Sequence, residues 1–147
     1  QRLNIGGARR RRSLFYGGGA NMSEQPLERL ILEVGMGNDL YGEDYTKAAL
    51  RAVQDALHHS SLTLFRSLDL DSAKMQVRVT IGVAQPDLVD CDAVADSLPR
   101  GQATVTAVLG GMNVVDADNG TTSVVASAAI EAFYPMNDVP WTVVEAP

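Results

Sequence analysis

A chain of 147 residues, 46% of them apolar, is long enough for one domain with its own core and short for two. It has no apolar run long enough for a membrane-crossing helix, and the lone Cys91 excludes an internal disulfide, so a reducing compartment is allowed. The net charge of −6 divides unevenly: residues 1–21 carry five arginines and no acid, and the other 7 basic and 18 acidic residues leave the rest at −11.

Gln1–Asn21 has neither helical nor strand period. Arg9, Arg10, Arg11 and Arg12 come first, then Phe15, Tyr16 and a run of glycines. The composition fits a pre-sequence ahead of Met22, or the remainder of an organellar (plastid or mitochondrial) targeting extension; a cytoplasmic location is the alternative. It also fits an arm for a partner. Guanidinium groups offer donor forks to carboxylates and phosphates and stack on flat rings. Such an arm would grip other protein chains of a larger assembly, with RNA as a second anionic target.

Residues 22–134 read as a single α+β domain, and 135–147 as an extended tail with Trp141 as a further contact. Leu27–Val34 is expected to be a strand, because Leu30, Ile31 and Leu32 are adjacent, a sign of burial on both faces. Gly35 to Gly42 then reads as a tight turn, since Gly accepts positive φ and Asn38-Asp39 favour turns. Asp44 is placed to cap a helix running to His59, with Tyr45, Ala49, Ala52, Val53, Ala56 and Leu57 on one side.

Met75–Val83 alternates cleanly between apolar and polar, which predicts a strand with one buried face. Its other face carries Gln76, Arg78 and Thr80, to be covered by water or by a second subunit; a homo-oligomer is expected. Asp90 can cap a short helix that Pro99-Arg100-Gly101 ends. Gln102–Leu109 is strand, Gly110-Gly111 a break and Asp116–Gly120 a turn. Thr121–Phe133 reads as strand, although its alanines also suit a helix. The order β-α-β-α-β-β implies a two-layer sandwich: a sheet of about four strands with two helices on one face.

Gly35–Gly42 is the one stretch that suggests chemistry. A strand end, a loop and a helix start meet there, as they do at many α/β sites. The fit to a phosphate loop is poor. Leu40 stands where a dinucleotide fingerprint needs glycine, no Lys-Ser/Thr follows, and Asp39 would repel a phosphate. Asp39 suits a hydroxyl, an amide or a cation, and it should accept hydrogen bonds from nearby backbone N–H groups. The candidate ligand-binding set is Gly35, Gly37, Asn38, Asp39, Tyr41 and Gly42. No catalytic residue can be assigned, and no metal or cofactor is expected. His58 and His59 diverge by about 100° on a helix. Asp116, Asp118 and Asn119 lack the spacing and terminal Glu of an EF-hand.

The same stretch, Gly35-Met36-Gly37-Asn38-Asp39-Leu40-Tyr41-Gly42, resembles the G-x-G-x-D-x-H-G hallmark of a conserved hypothetical family of bacteria, cyanobacteria and plants that carries a Lin-type locus label. Asp44 to Val53, Gly82-Val83 to Pro86, Val89-Asp90, Leu98 to Gly101 and Gly110-Gly111-Met112 are also similar to it, so the resemblance spans roughly residues 27–133. It implies a shared domain and no reaction, because the family's function is unknown. This chain departs from the motif at Tyr41, where the family has His. A phenol with a pKa of about 10 does not exchange protons near neutral pH as an imidazole does. The reading that follows is a non-catalytic accessory or structural subunit of a larger assembly. The alternative is a small-molecule binder or enzyme with its site at Gly35–Gly42, shared between subunits.

Overall fold

The computed structural model describes residues 26–59 and 69–135. In chain order they form β1 (Leu27–Asp39), α1 (Tyr45–His59), a 3-10 turn (Ser72–Lys74), β2 (Gln76–Val83), a second 3-10 turn (Pro86–Leu88), α2 (Cys91–Asp96), β3 (Gln102–Leu109), β4 (Met112–Asp116) and β5 (Thr121–Pro135).

The sheet is built on β5. Along one edge of it β1 runs antiparallel, from Leu27 opposite Pro135 to Asp39 opposite Val124. Along the other edge β2 runs antiparallel, from Gln76 opposite Phe133 to Gly82 opposite Ser127. The strands β1 and β2 are therefore parallel to each other with β5 between them, a split β-α-β unit that α1 connects. Outside β2 lies β3, parallel to it and reached through α2. Gly110-Gly111 then moves the chain one strand inward. There β4 pairs with β5 beyond the end of β2, with Met112 opposite Val125 and Asp116 opposite Thr121. Gly111 makes the jog feasible: its φ is +58°, and a Cβ there would run into the Val125 carbonyl oxygen.

The structure departs from the sequence expectations at two places. The sheet has five strands rather than four, in the order β1-β5-β2-β3 with β4 on β5. Five residues between a Gly-Gly break and an Asp-rich turn are too few to show a period, so β4 stays hidden in the sequence. The strand β1 also continues past the expected turn to Asp39, so Gly35 and Gly37 are strand residues and the turn is 40–44. Glycine weakens a strand on its own account, but here it admits another backbone. A Cβ on Gly35 would strike Ala52 O and Ala56 N, and one on Gly37 would strike Ala52 N and Ala48 O.

Both helices start on aspartate caps. Asp44 Oδ1 accepts the Lys47 N–H at 2.9 Å, and Asp90 Oδ1 accepts the Ala93 N–H at 3.0 Å. The first helix buries Tyr45, Ala48, Ala49, Ala52, Val53 and Ala56 against β1 and β5, and α2 buries Val94. Beneath them lie Val77, Val79, Ile81 and Val83 of β2 and the alternating Val124 to Tyr134 of β5. That alternation settles β5 as a strand. Full burial of Val79, Ile81 and Val83 contributes on the order of 1.5–3 kcal/mol each. Among the described residues no helix covers the opposite face of the sheet.

Candidate functional site

Asp39 ends β1 and organises the loop that follows. Its side chain is only 4% exposed. Oδ2 accepts the N–H groups of Gly42 at 3.0 Å and Asp44 at 3.1 Å. Oδ1 lies 2.7 Å from Lys47 Nζ and 3.9 Å from Arg51 Nη1. Gly42 leaves room for the carboxylate, because a Cβ there would sit 2.5 Å from Oδ2. The hydrogen bond from Lys47, followed by that from the Asp44 N–H, holds the Asp39 carboxyl below the usual carboxylate range, against burial, which pushes the other way. The backbone hydrogen bonds expected of Asp39 are present, and both of its oxygens have partners within the chain.

The candidate set does not converge on one pocket. Gly35 and Gly37 lie under α1, and Asp39 faces the loop interior. Tyr41 is 81% exposed. Asn38 is exposed, and its carbonyl accepts Arg51 Nη1 at 2.5 Å. The structure instead adds Lys47 and Arg51, which sequence reading did not single out. Their four-residue spacing along α1 was the available signal. Arg9 to Arg12, Phe15, Tyr16 and Trp141 lie outside the described residues.

At the end of α1, His59 Nε2 stands 3.9 Å from Asp55 Oδ1, one turn back. In the β4–β5 turn Asp116 accepts Asn119 Nδ2 at 2.7 Å and the N–H groups of Asp118 and Asn119. These bonds, the Asn119 side chain first, hold its carboxyl low. Leu50, Val53, Gln54, Leu57, Ser97 and Pro99 line a shallow hollow of about 380 Å³ between α1 and the segment after α2.

The larger feature is the face of the sheet that no described helix covers. Strand register puts Leu32, Val34 and Met36 of β1, Val108 of β3, and Met112 and Val114 of β4 on it. Each is between 41% and 62% exposed. Arg29, Glu131 and Arg78 form a charged row across one end, where Arg29 Nη1 meets Glu131 Oε1 at 2.8 Å and the Arg78 guanidinium lies 4.5 Å from the centre of the Phe133 ring. From that row to the turn at Asp116, the residues that share this face carry no charge. The outer edge of β1 is partly closed by α1. Met36 N–H donates to Asp55 Oδ2 at 2.9 Å, and Arg51 takes the Asn38 carbonyl.

The model of a family described as a conserved hypothetical protein, Lin0512, matches residues 29–132. The chain belongs to this family. The family's span takes in the whole sheet and both helices, short of the first two residues of β1 and the last three of β5. The domain is also similar to a crystal structure of an FtsZ-like protein of unknown function from Nostoc punctiforme. That likeness has a TM-score of 0.67 at 31% identity, over 76% of this chain and 98% of the other. No protein of curated function matches the chain.

Proposed function

We propose that this Lin0512-family chain is a non-catalytic structural subunit of a larger assembly whose working surface is the uncovered sheet face. One observation carries the reading: Leu32, Val34, Met36, Val108, Met112 and Val114 stand half exposed on a surface whose charges are confined to its ends. Contiguous apolar surface with little charge at its centre is the pattern of a contact face, and the acidic remainder of the chain makes its neutrality more telling. The corner at Gly35–Gly42 supports a structural role. Its strand glycines seat α1, and Asp39 is occupied by loop N–H groups and Lys47. In this reading Arg9 to Arg12, with Phe15 and Tyr16, supply a second contact to an acidic partner chain, weakened by salt.

The test places a charge in the middle of the face. In extracts of cells that produce the chain, the wild type should elute in a complex larger than the free chain. Val34→Asp should elute as the free subunit, with circular dichroism showing that it is folded. Elution of both proteins at the same size refutes the reading.

A further inference from the structure

We infer that the occupant of the open face is a second copy of this chain, packed sheet to sheet about a two-fold axis that runs along the strands between β5 and β2. The inference rests on the open face being a contact surface and goes on to name the partner.

Four strand positions about 4.8 Å apart and seven residues of about 3.4 Å each give a plane of roughly 19 by 24 Å. That outline, about 460 Å², is a little over half of the roughly 800 Å² that each partner buries in a standard interface, which suits a contact that one central charge can break. A second sheet of the same width, about 10 Å away and turned by about 30°, matches that outline.

An isologous contact needs a surface that complements itself. Arg29, Glu131 and Arg78 lie on β1, β5 and β2 in spatial order, and Arg78 stands opposite Glu131 in register. Rotation about the proposed axis keeps height along the strands and exchanges β5 with β2. Glu131 of each copy then lies over Arg78 of the partner subunit, and the contact gains two reciprocal ion pairs at its rim. The rest of the face is neutral and opposes its copy without repulsion, although the chain as a whole is acidic.

An unpaired strand edge is itself a template for a second copy. On β1 the outward Met36 N–H is taken by Asp55 and the Asn38 carbonyl by Arg51. Edge-to-edge addition there is opposed by side chains of α1, whereas the face has no such guard among the described residues.

Light scattering of the purified full chain across the micromolar range tests the inference. The wild type should show twice the mass of one chain. Val34→Asp and Met112→Lys, on opposite sides of the face, should halve that mass, with circular dichroism confirming that each is folded. Val115→Asp should keep the dimer, because Val115 is 70% exposed on the helix side of β4. Glu131→Arg and Arg78→Glu should each weaken the dimer, and mixing the two variant chains should restore it as a heterodimer, in which each charge meets its opposite only across the axis. A wild type that stays monomeric overturns the second copy. If the complex in extracts still depends on Val34, the contact-face reading stands with a different chain as partner. A dimer that survives both Val34→Asp and Met112→Lys overturns the face as the dimer contact. A charge swap without rescue overturns the axis.

Discussion

Gly37 sets the distance between α1 and the sheet. Its missing side chain is replaced by the backbone of residues 48–52, so a methyl group there has no free space and the neighbouring atoms belong to a helix rather than to a movable side chain. Gly37→Ala should cost about 3 kcal/mol, the upper end of the usual overpacking penalty, read as a lower urea midpoint. Asp39 acts through charge. Its carboxyl is lowered in the folded chain from an ordinary value of 3.8. Its contribution is therefore complete above that value and is lost as pH falls through the lower, folded one. Asp39→Asn should reduce the melting temperature at pH 7, where Lys47 loses its partner, and should flatten the fall in melting temperature below about pH 4. An acid profile identical to that of the wild type would show that the loop owes nothing to this charge.

At the scale of elements, β1 and α1 work as a pair. The strand offers its glycines to the helix, and the helix returns Asp55 and Arg51 to the strand's outer edge. Bonds of this exposed kind contribute roughly 0.5–1.5 kcal/mol each, so their larger effect is on association. The double variant Arg51→Ala, Asp55→Ala should melt within a few degrees of the wild type yet become turbid sooner on warming, as β1 recruits other edges. Equal turbidity would mean that the edge is not what those side chains protect. The jog from β3 to β4 serves the same sheet in another way. By stepping inward at Gly110-Gly111, the chain brings Met112 and Val114 beside β5 and extends the apolar face beyond the end of β2.

For the whole molecule, the described core runs from β1 to β5. Deleting Gln1–Asn21 should leave the melting temperature of the purified domain unchanged. It should also remove the salt-dependent part of any binding to an acidic partner, measured as affinity against ionic strength. The removal takes away five arginines, so the net charge shifts from −6 to −11. A fall in melting temperature would make the arm part of the fold.

The sequence by itself determined the elements whose signal is local. The alanine stripe from Tyr45 to Ala56, the aspartate caps at Asp44 and Asp90, and the strict alternation in β2 each follow from contacts a few residues apart, so α1, α2 and β2 were legible. The family was legible too, and its model matches residues 29–132. Only the tertiary structure decided what the glycines do. Gly35 and Gly37 look like a turn until a helix lies on them, and that helix comes later in the chain. β4 was hidden because its pairing partner supplies the order that five residues cannot. The open face became visible only when β1, β3, β4 and β5 lay side by side. In the sequence its six large apolar residues are scattered from Leu32 to Val114, and only strand register joins them into one surface.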